Sequence, residues 1–187
     1  MQDRYAELLN KLDKSLFLNE EVDINEAYYK FALDTDFILK VVMLLTINDE
    51  DNILEVGTGS GYQTAFLAEF SKHVTTIEIV KDYYEKARNI LESIGYENIT
   101  FINADGSDGY TINAQYDKIL VTAAAKEVPK ELFKQLKVNG KMAIAIGDEK
   151  LQKFYIIEKD NDGEMIKHFL GNVNLSEFKG KHGWNNE

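Results

Sequence analysis

The 187-residue sequence contains no cysteine and a single proline, Pro129. Without cysteine there is neither a disulfide framework nor a thiolate metal site, and His73, His168 and His182 fall at no ligand spacing, so no metal centre is expected. Basic residues are also few: 21 Lys and Arg face 32 Asp and Glu, leaving a formal charge of −11. That field repels a phosphate backbone and counts against nucleic acid as a partner. No apolar run approaches the roughly 18 residues of a membrane span, and the opening Met-Gln-Asp-Arg-Tyr lacks a signal-peptide core. The expectation is a cytoplasmic protein with no membrane contact.

What is present suffices for one buried core, with 44% hydrophobic residues, and residues 1–187 read as one domain. Residues 1–50 form a helical cap region and residues 51–187 an α/β core. In the cap region, Tyr5, Leu8, Leu9, Leu12 and Leu16 recur at helical spacing behind Asp3. After the acidic stretch Asn19 to Glu26 and Tyr28 to Phe31, Asp34-Thr35-Asp36 opens a second apolar helix reaching about Leu45. From Ile53 the period changes. Buried-strand runs at Ile53 to Val56, Val74 to Ile79, Ile99 to Asn103, Lys118 to Val121 and Met142 to Ile146 alternate with helices at Gln63 to Phe70, Asp82 to Ile94 and Pro129 to Leu136. Alternation of this kind predicts a Rossmann-like, mostly parallel sheet with helices on both faces. Two further strands flank the turn Asp160-Asn161-Asp162-Gly163 and predict a C-terminal antiparallel hairpin, seven strands in all. That turn lacks the ligand spacing of a calcium loop.

The strongest local signal is a buried strand running into Glu55-Val56-Gly57-Thr58-Gly59-Ser60-Gly61-Tyr62 and then a helix, where backbone approaches a ligand closely. Dinucleotide folds set the glycines as G-x-G-x-x-G to face a pyrophosphate; here the spacing is G-x-G-x-G behind a carboxylate, which favours a ligand without phosphates. About 20 residues on, the second strand ends at Glu78-Ile79, where a carboxylate accepts the two hydroxyls of a ribose. The third ends at Asp105-Gly106, where an aspartate is placed to accept an adenine amino group. Three strand ends thus address the methionine, ribose and adenine of S-adenosylmethionine. The plainer reading of Glu78 and Asp105 is that they cap the helices that follow. The fourth strand ends in the small residues Thr122-Ala123-Ala124-Ala125, leaving room for a reacting group, while Asp117 at its start reads as a turn hydrogen bond without chemistry.

With these residues in view, Ile53 to Ala65, Asp105-Gly106-Ser107, Val121 to Ala125 and Gly183-Trp184 together resemble the protein-L-isoaspartate O-methyltransferase family, from about residue 53 onward. The resemblance implies a class I methyltransferase that esterifies the free carboxylate of isoaspartyl residues in damaged protein. It also implies cofactor contacts from Gly57, Gly59, Gly61, Glu78, Asp105 and Gly106, to which Glu55, Thr58, Ser60, Tyr62, Ile79 and Thr122 are added as neighbours. The family carries a catalytic serine in a Gln-Thr-Ile-Ser-Gln-Pro-like segment that this sequence lacks. Ungapped extension puts Leu33 at that place; a two-residue shift puts Thr35 there, which makes Thr35 the candidate catalytic hydroxyl, with helix capping as its alternative role. Lys126, beside the alanine run, is a candidate to attract an acidic acceptor. The acceptor remains open between an isoaspartyl protein or peptide and a small molecule, with a cofactor-binding homologue lacking turnover, or a nicotinamide dehydrogenase, as further alternatives.

Overall fold

The computed structural model describes residues 7, 8, 11–17 and 34–184; the expectations for Asp3, Tyr5, Leu9, residues 19–31 and Leu33 lie outside them. Leu8 and Leu12 are buried and joined through the Leu12 N–H and the Leu8 carbonyl at 2.9 Å. The helix does not continue to Leu16 as its spacing predicts. Asp13 accepts the Ser15 N–H at 2.9 Å, competing with the helical ladder, and a 3-10 turn over Lys14–Phe17 follows. Phe17 therefore enters the core and Leu16 faces solvent.

Helix α1, Thr35–Leu45, is capped by Asp34, whose carboxylate accepts the Phe37 N–H at 3.1 Å. It buries Ile38, Val41, Val42 and Leu45, the i, i+3, i+4, i+7 set of one face. The core then runs β1 Asn52–Val56, α2 Tyr62–Glu69, β2 His73–Glu78, α3 Lys81–Ser93, β3 Ile99–Asn103, β4 Tyr116–Ala125, α4 Lys130–Gln135, β5 Leu136–Gly147, β6 Gln152–Lys159 and β7 Met165–Val173. The seven strands lie in the order β3-β2-β1-β4-β5-β6-β7; β1 to β5 are parallel, and β6 and β7 are antiparallel to their neighbours. Ile53 and Leu54, both fully buried, belong to separate apolar clusters, as residues on opposite faces of a doubly covered strand must.

Strands β4 and β5 are longer than their apolar runs suggest. Tyr116 pairs with Leu136 at one end and Ala125 with Ile146 at the other, so pairing carries the ladder beyond the hydrophobic segments, and Leu136 opens β5 instead of closing a helix. Pro129 caps α4 from outside. In the last hairpin, Asp160 spends one carboxylate oxygen on the N–H groups of Asp162 and Glu164, at 2.9 and 2.8 Å. After β7 the chain returns along β4, where the Ala124 N–H meets the Ser176 carbonyl at 2.8 Å and the Phe178 N–H meets the Ala124 carbonyl at 2.9 Å. Strand order reverses between β1 and β4, which places a crevice beyond their carboxyl ends. Among the described residues no helix is long and apolar enough to cross a membrane.

Candidate active site

The crevice is built on the turn leaving β1. Gly57 has φ +99°, and a Cβ there would overlap the Thr122 hydroxyl. That hydroxyl donates to the carbonyls of Val56 and Gly57 at 3.0 and 2.9 Å, tying the turn to β4. Gly61 has φ +84°, and a Cβ would stand 3.0 Å from that of Ala87, so α2 and α3 approach closely only with glycine here. The turn's own N–H groups are already used: Gly57 donates to Ile77 O at 2.8 Å, Gly59 to Glu78 at 2.9 Å and Gly61 to Thr58 O at 3.0 Å. None of the three glycine amides is left to cradle a phosphate, the physical form of the distinction drawn from glycine spacing.

Glu78 is 5% exposed and spends one carboxylate oxygen on the Gly59 N–H and the other on the Val80 N–H, each at 2.9 Å. Each oxygen keeps a further lone pair for a ligand hydroxyl. Beneath the turn Glu55 is fully buried. One of its oxygens accepts from Thr64 at 2.6 Å and Thr76 at 2.7 Å, Thr76 in turn meets Thr58 at 2.6 Å, and the second oxygen has no partner. Desolvation raises the Glu55 carboxyl to about 7. Glu55 borders neither part of the crevice; it braces the turn from below.

Two depressions make up the crevice. One lies over Thr58, Gly59, Ser60 and Gln63, walled by Phe37 and Phe154, whose rings are 5.6 Å apart. The other, about 250 Å³, is bordered by Glu78, Ile79, Val80, Tyr83, Gly106 and residues 176–179. Gly57, Thr122 and Ser176 border both and form the seam between them. A polar turn beside one hollow, and a buried carboxylate among Ile77, Ile79 and Phe178 in the other, suit an amino-acid end and a nucleoside end joined without phosphate.

Several expected residues have different contacts from those anticipated. Asp105 lines neither depression: one oxygen accepts the Ser107 N–H at 2.8 Å and the other the Lys181 N–H at 2.7 Å, so its carboxylate anchors the returning tail. These bonds outweigh partial burial and hold its carboxyl below the usual range. Gly106 does border the nucleoside hollow, and a Cβ there would lie 2.5 Å from a Val56 methyl. Thr35 is also set apart from both depressions. With Asp34 taking the cap, the Thr35 hydroxyl meets the Tyr62 hydroxyl at 3.1 Å. Tyr62 is fully buried, packed edge-on against Phe17 and Phe66, with the Lys14 ammonium 5.6 Å from its ring; it docks the first segments onto the glycine turn. The Tyr62 N–H donates to Ser60 Oγ at 3.2 Å. Lys126 is exposed and borders a separate charged hollow with Lys130, Glu131 and His182. Asp117 accepts the Asn52 N–H at 2.9 Å and pairs with Lys137. Phe37, Phe154 and the tail Leu175 to Lys179 carry no local signal in the sequence, and long-range packing brings them to the crevice.

Comparison with known proteins places this geometry. The family profile described as protein-L-isoaspartate(D-aspartate) O-methyltransferase matches residues 1–180, so the likeness begins well before residue 53. A protein-L-isoaspartate O-methyltransferase 2 of Archaeoglobus fulgidus is 39% identical over 95% of this chain and 86% of its own length. A protein-L-isoaspartate O-methyltransferase of Ignicoccus hospitalis is 41% identical over 88% of this chain and 84% of its own. Among solved structures, a protein-L-isoaspartate O-methyltransferase superposes with TM-score 0.83 at 22% identity; it covers 97% of this chain, which spans 62% of that one. A Plasmodium falciparum structure described as a putative member of the same family, in complex with S-adenosyl-L-homocysteine, gives TM-score 0.76 at 23% identity over 95% of this chain and 90% of its own.

Proposed function

The chain belongs to the protein-L-isoaspartate(D-aspartate) O-methyltransferase family, and we propose from this that it uses S-adenosylmethionine to methylate the free carboxylate of isoaspartyl residues in proteins. The observation that carries the reading is the seam at Gly57, Thr122 and Ser176, where an amino-acid hollow and a nucleoside hollow meet and none of the described residues that border both is titratable.

S-adenosylmethionine brings a methyl group already activated on a sulfonium, so the protein's share is to bind, align and exclude water. Glu78 receives the ribose hydroxyls with the lone pairs left over from Gly59 and Val80. Ile79 and Gly106 border the adenine, Thr122 fixes the turn, and Thr58, Gly59 and Ser60 lie along the amino-acid end. Glu55 and Tyr62 hold that turn from beneath and behind, and Asp105 acts through the tail it anchors. A carboxylate acceptor arrives as a nucleophile and needs no general base, whereas an amine or alcohol calls for one. The seam suits the carboxylate. The partner is therefore a protein or peptide rather than nucleic acid, whose phosphates the net charge of −11 disfavours.

The test is transfer of labelled methyl from S-adenosylmethionine to two peptides that differ only in carrying isoaspartate or aspartate. Base-labile label on the isoaspartyl peptide alone is expected. No label on either, with the cofactor bound by calorimetry, overturns the isoaspartyl reading.

A further inference from the structure

Hydroxyls near the seam are few, and most are committed. Thr122 donates to two carbonyls and Thr35 is engaged with Tyr62 outside the crevice, while Ser60, which accepts the Tyr62 N–H and keeps its own proton, borders only one of the two depressions. Ser176 differs: it is half-buried, borders both depressions, and its hydroxyl makes no hydrogen bond to another described residue.

Its backbone, by contrast, is held on both sides. The Ser176 carbonyl accepts the Ala124 N–H at 2.8 Å, and the preceding residue is clamped by Gln152, which accepts the Leu175 N–H at 2.6 Å and donates to the Leu175 carbonyl at 2.9 Å. Gln152 is itself buried at the start of β6. Two rows downstream the Phe178 N–H returns to the Ala124 carbonyl, and Phe178 is buried in the core. A free donor on a fixed backbone at the meeting point of two hollows is a preorganised contact for a ligand.

Resting on the isoaspartyl reading above, we propose that Ser176 is an acceptor-contacting residue whose hydroxyl orients the substrate carboxylate. The hydroxyl donates to one carboxylate oxygen and leaves the other facing the methyl carbon. In the transfer the O–C bond forms as the C–S bond breaks, the carboxylate charge and the sulfonium charge cancel, and the products are a methyl ester and S-adenosylhomocysteine. No proton moves, so Ser176 keeps its own throughout and serves by position.

The experiment compares wild type, Ser176→Ala and Ser176→Thr as full chains. Isoaspartyl-peptide affinity is measured by calorimetry in saturating S-adenosylhomocysteine, cofactor affinity is measured separately, and KM and kcat are taken in turnover. A hydrogen bond to a charged group is worth ~10- to 100-fold in affinity. Ser176→Ala is expected to weaken the peptide and raise its KM by that factor while cofactor affinity stays within about twofold; Ser176→Thr, which keeps the hydroxyl, is expected to recover most of the loss. Peptide affinity equal to wild type in Ser176→Ala overturns the assignment, as does a parallel fall in cofactor affinity that Ser176→Thr fails to recover. A wild-type protein that neither binds nor methylates the isoaspartyl peptide overturns the activity itself, a separate outcome from failure of Ser176 alone.

Discussion

Gly59 donates its backbone N–H to the Glu78 carboxylate at 2.9 Å, so the turn after β1 and the acid at the end of β2 are one rigid piece. In Glu78→Gln one carboxylate oxygen becomes an NH₂ facing either the Gly59 or the Val80 N–H, donor against donor. A loss of ~1–3 kcal/mol in urea unfolding follows from the mismatch. Calorimetry is expected to show S-adenosylmethionine affinity falling more than ~10-fold; unchanged affinity would remove Glu78 from the ribose role.

The Gly57 and Thr122 pair makes a double-mutant test. Gly57→Ala combines a left-handed φ with a Cβ placed on the Thr122 hydroxyl, and it is expected to cost more than the ~1–2 kcal/mol of backbone strain alone. Adding Thr122→Ala removes the obstacle, so the double variant should be more stable than the two single losses summed. Simple additivity in thermal unfolding would show that the two residues do not meet.

Glu55 contributes its own slope to the variation of stability with pH. Its folded carboxyl titrates near 7 against an ordinary 4.5 because burial disfavours its charge, so between those values the folded state binds more protons than the unfolded state. Stability therefore falls as pH rises from about 4.5 to about 7, by a few kcal/mol from this group. Glu55→Gln imitates the neutral acid and should flatten that slope. Urea titrations at steps from pH 5 to 8 decide it, and identical slopes in the two proteins would exclude Glu55 as the source.

Thr35→Ala separates a structural hydroxyl from a reacting one. Loss of the 3.1 Å contact to Tyr62 is expected to cost ~1 kcal/mol in stability while kcat stays within about threefold. A drop of ~100-fold in kcat at unchanged stability would restore Thr35 to the chemistry.

Asp105→Ala frees the tail. Without the carboxylate that receives the Lys181 N–H, trypsin should cut after Lys179 and Lys181 much faster than in wild type. Cofactor affinity should fall in step as the wall from Ser176 to Lys179 loosens. Equal cleavage rates would mean that the Ala124 bonds, the Gln152 clamp and the Asp108 contacts to Lys181 and His182 hold the segment without Asp105.

The sequence announced the parts of the site that one contiguous segment builds. The buried strand, glycine turn and helix from Ile53 to Phe70 carry their conformation in local signals, and counting on to the next strand end picks out Glu78, which borders the crevice. Phe37, Phe154 and Ser176 leave no such trace: they lie in a helix, a strand and the segment after the last strand, and only long-range packing brings them together. Thr35 is ambiguous in the sequence for a related reason. Asp34, Thr35 and Asp36 all suit a helix start, and local chemistry does not say which one caps and which is left for Tyr62. The start of β5 at Leu136 is not legible because backbone pairing, which carries no side-chain signature, continues ahead of the apolar run from Met142 to Ile146.

The bridge between Ala124 and Glu177 also sets a schedule. Ribosomes extend chains at about 5–20 residues per second, so the glycine turn has left the synthesis machinery many seconds before Ser176 is even encoded into peptide. During that interval half of the crevice exists without its facing wall. A nascent chain can thus fold the half of the crevice that holds Glu78 before the facing wall, Ser176 to Lys179, has been added.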